Sequence, residues 1–240
     1  MKVIVCTPTS NRRWSWEFSR YCMDTQLQQP DAWIVVDNSD DPNSDWSVSK
    51  DHPLVIYSHV DGKEPIGALR NRCIDLALEH GADYIVFWDD DDYYPPTRIS
   101  VGVKALEDHP RASISGCSMM YLLLTKENVI MTTGPFHDNH ATAATWTIRR
   151  SYAEHNRFDP TKHRAEEVSF NNNWCATVAQ VKPEDMIVVM GHGRNTVDKS
   201  DLLKRPHIYN ATIVNKDNGK MWVRMHWPLP KDLFQRTFSV

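Results

Sequence analysis

Apolar residues along this chain fall into short blocks, and the blocks alternate between two spacings. Residues 2–7 form a β-branched run closed by Pro8, which reads as a buried strand. Residues 32–37, 54–60 and 84–88 repeat that pattern. Between them the period changes to that of a helix. Residues 12–28 carry Trp14, Phe18, Tyr21 and Cys22 at helical spacing. Residues 65–80 place Ile66, Leu69, Cys73, Leu76 and Ala77 on one face, with Pro65 suited to the first turn and Gly81 to the stop. Pro95-Pro96-Thr97 opens a further helix that turns Ile99, Val103 and Leu106 inward.

Strand alternating with helix predicts an α/β fold: a mostly parallel central sheet with helices on both faces. The second half is less regular. Residues 113–124 and 129–133 read as a hairpin-like pair, residues 144–149 as a strand, residues 165–178 as a helix and residues 186–190 as the last strand. After Gly193 the chain is polar and punctuated by proline. No Gly-x-Gly-x-x-Gly follows any strand, so the dinucleotide fingerprint is missing.

In open α/β sheets, ligands bind beyond the carboxyl ends of the strands. The polar groups expected there are Thr7 to Arg12, Asp37, and the run Asp89-Asp90-Asp91-Asp92. Four adjacent carboxylates repel one another unless a cation or solvent intervenes. Directly after an apolar strand, they suit Mg²⁺ or Mn²⁺, hard ions that take one or two carboxylates and fill the remaining positions with water and substrate phosphate. The plainer alternative is a solvated acidic turn.

Composition narrows the partners. With 240 residues and a formal net charge of −4, the chain is long enough for one large domain and lacks the basic excess of a general nucleic-acid binder. Its five cysteines (Cys6, Cys22, Cys73, Cys117, Cys175) are scattered without zinc-type pairing. That usage, an opening that does not look like a signal peptide and the lack of a membrane-length apolar run lead to the expectation of a cytosolic protein. His137-x-x-His140 sits in a polar loop with no third metal ligand nearby.

The run from Tyr84 to Pro96 resembles the DxD segment of GT-A fold glycosyltransferases, above all the large inverting family-two group. Val5 to Arg12 is similar to that family's first nucleotide-contacting loop, residues 34–39 to its second strand, and Gly67 to Arg72 to its glycine-containing loop-helix. The resemblance spans residues 1–195 and implies a GT-A domain. Residues 1–110 would form its nucleotide-binding half and residues 111–195 its acceptor and catalytic half, with 196–240 a C-terminal extension packed on the same domain.

By the same resemblance, Thr7, Pro8, Thr9, Arg12, Asp37, Gly67, Arg70, Asn71, Asp89 and Asp90 would bind a nucleotide-sugar donor, a UDP-sugar by family habit. Asp91, with Asp89 and His192, would hold the Mn²⁺ or Mg²⁺. The family's Glu-Asp pair corresponds to Glu166-Glu167, with Glu where Asp is usual. Glu167 is then the general base and Glu166 the neighbouring candidate.

Trp146 and Trp174 offer aromatic faces to an acceptor, or pack in the core. The acceptor itself is open: a glycan, a lipid-linked sugar, a small molecule or a hydroxylated base in DNA. The last rests on late basic residues such as Lys199, Lys204, Arg205, Lys220 and Arg224. Rival readings are a nucleotidyltransferase, which would want a lysine- and glycine-rich triphosphate loop that is not seen, and a non-catalytic nucleotide-sugar binder.

Overall fold

A computed structural model describes residues 1–41, 46–195 and 198–238. Pro42 and Asn43, in the polar run 38–43 that the sequence marks as a loop after the second apolar block, lie outside them. The first half follows the alternating pattern: β1 (Val3–Thr9), α1 (Trp16–Asp24), β2 (Ala32–Asp37), β3 (Val55–His59), α2 (Ile66–Glu79), β4 (Tyr84–Phe87) and α3 (Arg98–Asp108). The second half contains β5 (Ile114–Gly116), β6 (Met120–Leu124), β7 (Val129–Thr133), β8 (Thr147–Arg149), α4 (Arg150–Ala153), α5 (Glu167–Phe170), β9 (Val178–Gln180) and β10 (Val188–Gly191). It ends with α6 (Asp201–Lys204), β11 (Thr212–Asn215), α7 (Gly219–His226) and α8 (Lys231–Phe238).

Seven strands form the central sheet in the order β3-β2-β1-β4-β8-β5-β9, and β1 to β4 pair in parallel. Alternation along each buried strand divides the core. Val3, Val5, Trp33, Val35 and Val86 face α1 and α3, where Phe18, Cys22, Ile99 and Val103 meet them. Ile4, Cys6, Ile34, Val36, Ile85 and Phe87 face α2 and pack on Leu69, Cys73, Ile74 and Ala77. A strand buried on both faces has to be apolar at every position, which is why these segments read as continuous runs. β1 extends two residues beyond the expected stop, carrying Thr7, Pro8 and Thr9 into the ladder opposite Val35, Val36 and Asp37.

The second half differs from expectation in three places. The apolar stretch 113–124 breaks into β5, in the central sheet, and β6, in a separate four-stranded sheet ordered β10-β6-β7-β11. At the break, side chains replace the ladder: the Cys117 N–H donates to Thr145 Oγ1 (3.0 Å) and the Ser118 N–H to Gln180 Oε1 (2.9 Å). The expected helix 165–178 shrinks to one turn, because Asn172, Asn173 and Trp174 adopt φ of 47°, 52° and 65°. A left-handed run cannot continue a right-handed helix. Finally, the tail is structured. β11 pairs with β7 and the ring of Phe238 in α8 meets Phe18 of α1 at 4.8 Å. Among the described residues no helix is long and apolar enough to cross a membrane.

Candidate active site

The parallel strands β1, β2 and β4 end at one rim. β4 releases the chain into Asp89–Asp92, and that turn is rigidly held. The Asp89 N–H donates to Tyr94 Oη (2.7 Å), Tyr94 stacks on Trp88 at 3.9 Å, and Trp88 Nε1–H donates to Ser19 Oγ (3.0 Å). Asp90, Asp91 and Asp92 are all buried.

The four carboxylates have different sets of partners, with Arg12 shared by Asp90 and Asp91. Asp89 accepts from Arg70 Nη2 (3.0 Å). Asp90 accepts from the Thr9 hydroxyl (2.5 Å) and from Arg12 Nη1 (2.7 Å). Arg12 Nη1 also reaches Asp91 Oδ2 (2.5 Å), and Asp92 accepts the Met190 N–H of β10 (2.8 Å). Their proton affinities diverge accordingly. Burial pushes Asp90 up to about 7, with Arg12 pulling it back and Asp91 adding to the rise. Burial, then the charges of Asp91 and Asp89, drive Asp92 well above the ordinary range. Burial also works to raise Asp91, but the His192 hydrogen bond and the charges of Arg12, His192 and Lys199 outweigh it and leave Asp91 lowered. Asp91 is therefore the member of the three buried acids held most firmly as the anion.

His192, at the end of β10, brings Nε2 to 3.1 Å from Asp91 Oδ2. Its ring is braced by the edge of Trp14 (4.8 Å) and by Phe238 (5.8 Å). Asn195 joins the same point. Its Oδ1 accepts the His192 N–H (2.6 Å), and its Nδ2 lies 3.1 Å from His192 Nε2 and 3.5 Å from Asp91 Oδ2. Among the described residues no group of three or more His, Cys, Asp or Glu side chains converges on one point. The reason is visible in the partners: Arg70, Arg12 and the Met190 amide draw Asp89, Asp90 and Asp92 aside. Arg12 Nη1 and Asn195 Nδ2 share Asp91 Oδ2 with the imidazole, so the groups with metal-ligating chemistry that converge are one carboxylate oxygen and one imidazole nitrogen. That donor pair suits an Mn²⁺ or Mg²⁺ ion that takes its other ligands from phosphate and water.

Asp37, at the end of β2, is fully buried. Its Oδ1 accepts the N–H and hydroxyl of Ser39, and its Oδ2 accepts Tyr57 Oη–H (2.8 Å). Thr7 Oγ1 accepts Trp33 Nε1–H (2.9 Å). Gly67 and Asn71 face the loop that precedes α5. The Gly67 N–H donates to Lys162 O (3.1 Å), and the Asn71 side chain exchanges hydrogen bonds with the Phe158 backbone (2.9 Å each way).

Arg70 is not a surface helix residue. It is buried, it donates from Nε to Glu166 Oε1 (2.9 Å) and from Nη2 to Asp89, and its guanidinium lies over Phe87 at 5.3 Å. This pairing separates the two glutamates. Glu166 is bound to a cation. Glu167 is raised by burial and then by the charge of Glu166, with its own amide, Arg70 and the Ala143 amide pulling back.

The two tryptophans part company. Trp146 is wholly buried, donates Nε1–H to Ala141 O (3.0 Å) and stacks on Phe158 at 5.9 Å. It is a core residue under α5 and offers no open face to an acceptor. Trp174 is half-buried at the surface beside His137 and His140. Asn195 and the buried Arg98, which donates to Phe87 O and Trp146 O, had no role in the sequence reading, and Trp14 entered it only as an apolar helix position. Only Asn195, three residues after His192, carries a local signal.

The model of glycosyl transferase family 2 matches residues 4–165. No curated protein sequence matches the chain. Among solved structures, residues 1–349 of S. aureus TarS in complex with UDP-GlcNAc superpose with a TM-score of 0.59 at 15% identity, covering 100% of this chain and 73% of that one. The mannosyltransferase PcManGT from Pyrobaculum calidifontis, in complex with GDP-Man and Mn²⁺, gives 0.56 at 17% identity, covering 81% and 58%.

Proposed function

The chain belongs to glycosyl transferase family 2, and from that premise we propose that it transfers a sugar from a UDP-sugar to an acceptor hydroxyl, with inversion and with dependence on Mn²⁺ or Mg²⁺. One observation carries the metal dependence: Asp91 and His192, 101 positions apart in the chain, bring an anionic oxygen and an imidazole nitrogen to 3.1 Å of each other at the rim of the parallel strands. A divalent ion would be held there by Asp91 and His192, with Asp89 at the margin, and would supply positive charge to the leaving diphosphate.

The chain's own residues do the rest. Pro8 and Thr9, over a floor set by Thr7 and Asp37, position the base and ribose. Arg12 and Arg70 add fixed positive charge on the phosphate side, and Asp90 orients Arg12. Gly67 and Asn71 hold the 158–162 loop, and through it α5, against the donor half. Glu167 accepts the proton of the incoming hydroxyl, because its raised carboxyl makes a better base than the cation-bound Glu166. Attack on the face opposite the leaving group inverts the anomeric centre. Supporting UDP as the nucleotide are the resemblance already described and the UDP-GlcNAc complex of TarS; PcManGT carries GDP-Man.

The test is nucleotide-sugar hydrolysis and nucleotide binding measured with and without Mn²⁺. UDP with Mn²⁺ is expected to raise the melting temperature more than GDP with Mn²⁺. Asp91→Ala is expected to lose both that shift and Mn²⁺-dependent hydrolysis. Undiminished activity in excess EDTA, or in Asp91→Ala, would overturn the metal-dependent scheme. A preference for GDP would overturn the choice of donor.

A further inference from the structure

An aromatic cluster lies outside the donor site, and of its members only Trp174 has been given an expected role, as an aromatic face for an acceptor. Phe136, His137 and His140 come from the loop before the Ala143–Thr145 turn, and Trp174 from the turn after α5. His140 lies over Trp174 at 4.7 Å with 33° between the planes, His137 meets Trp174 edge-on at 5.6 Å, and Phe136 contacts His140 at 4.6 Å. These rings do not belong to either core cluster, and Phe136 is exposed.

The two segments are pinned to each other and to α5. Asn171 Nδ2 donates to Asn139 O (2.9 Å), Gln180 Nε2 to Asp138 O and His140 O (2.7 and 2.8 Å), and the Asn173 N–H to Val168 O (2.8 Å). Three consecutive left-handed residues set the Trp174 ring in place. Asparagine tolerates that conformation and tryptophan does not favour it, so the fold imposes it.

Both segments that carry the cluster run close in the chain to the residues around the candidate base. Trp174 follows by four residues the end of the helix that carries Glu167. Ala143, three residues beyond His140, directs its amide at the Glu167 carboxyl. The Nδ1 atom of His140 is buried and finds no partner among the described residues. Burial, then the nearby His137, lowers this imidazole to about 4, so at neutral pH the atom calls for a neutral hydrogen-bond partner and not for an anion.

We propose that Trp174 and His140, with His137 and Phe136 at their edge, form the acceptor subsite, which takes the pyranose ring of a neutral glycan. The C–H face of the sugar packs on the aromatic faces, and one of its hydroxyls satisfies His140 Nδ1. A hydroxyl both donates and accepts, so it suits either tautomer. Neither segment 136–140 nor 171–176 contains a Lys or Arg, so the cluster lacks the cations a DNA or RNA backbone would demand. The inference rests on the glycosyltransfer reading only in giving the bound sugar its role as acceptor.

The experiment is a titration of the full chain with methyl β-glucoside, methyl β-galactoside and methyl N-acetyl-β-glucosaminide, followed by calorimetry and by saturation-transfer NMR. At least one glycoside is expected to bind saturably. Trp174→Ala should weaken it about ten-fold, Trp174→Phe should keep it within about three-fold, and His140→Ala should weaken it while melting like the parent. If no methyl glycoside binds the parent chain, or if Trp174→Ala binds as tightly as the parent, the subsite is wrong. Donor hydrolysis is measured on the same samples. Hydrolysis without glycoside binding sinks this subsite and leaves the transferase reading standing; glycoside binding lost in Trp174→Ala without any hydrolysis does the reverse.

Discussion

Arg70 joins the two halves of the site at the scale of a single side chain. It is buried between Glu166 and Asp89, so removing it leaves a buried carboxylate uncompensated. Breaking one side of such a pair costs about 3–5 kcal/mol. Arg70→Ala is therefore expected to lower stability by that order in urea unfolding, and Arg70→Lys to recover only part of it, since an ammonium cannot span both partners as the planar guanidinium does.

The same geometry fixes the sign of a pH effect. As the proposed base, Glu167 has to be ionised, so transfer should rise with pH through its pKa, which is raised by burial and by the charge of Glu166. Glu166→Gln removes that like charge and leaves Arg70 free to favour the Glu167 carboxylate. The acid limb of kcat/KM is then expected to move to lower pH in Glu166→Gln. Glu167→Gln should lose about 10²–10⁴-fold in rate while still binding donor. An acid limb that stays put in Glu166→Gln would remove Glu167 from the base role.

At the scale of elements, the alternating first half of the chain was legible because its strands are short apolar runs between amphipathic helices, and each run ends on a polar group. Legibility fails where one apolar run serves two sheets. Between Ile114 and Leu124 the exit from the central sheet is marked only by Ser115-Gly116 and Ser118, and the groups that catch the backbone there, Thr145 and Gln180, are remote in sequence. The 171–174 turn is different. Its asparagines are a local signal for left-handed backbone, and the apolar spacing around them, Val168, Phe170 and Trp174, masks it.

Contacts between elements were invisible for the same reason. A Cβ at Gly67 would collide with the Asp159 carbonyl oxygen, so close packing of α2 on the 158–162 loop calls for glycine there. Gly67→Ala should push that loop, and α5 behind it, off the donor half. The expected reading is a loss of about 1–3 kcal/mol with a fall in transfer, while Mn²⁺ binding at the other end of the site is retained. Trp146→Ala, which empties the floor beneath α5, should cost about 3–5 kcal/mol in thermal or urea unfolding.

At the scale of the whole molecule, residues 198–238 close the structure in two places. β11 pairs along β7, and α7 covers the four-stranded sheet, with Trp222 packing 5.5 Å from Tyr121. α8 crosses back to the donor half, where the Phe238 ring touches Phe18 at 4.8 Å, Trp14 at 6.0 Å and His192 at 5.8 Å. The ring of the candidate metal ligand is thus held between Trp14, from the start of the chain, and Phe238, near its end. Phe238→Ala opens a cavity at that junction, which should cost about 3–5 kcal/mol and leave the imidazole free to rotate. Because His192 then has to be ordered when an ion binds, Mn²⁺ affinity, read by calorimetry at a temperature where the variant is folded, should fall several-fold with Asp91 intact. Asp91→Ala removes a ligand outright and should lose binding altogether. If Phe238→Ala lowers the melting temperature but binds Mn²⁺ like the parent, α8 is a lid on the core alone. If affinity falls as expected, the late helix is part of what positions the metal centre, although it contributes no ligand.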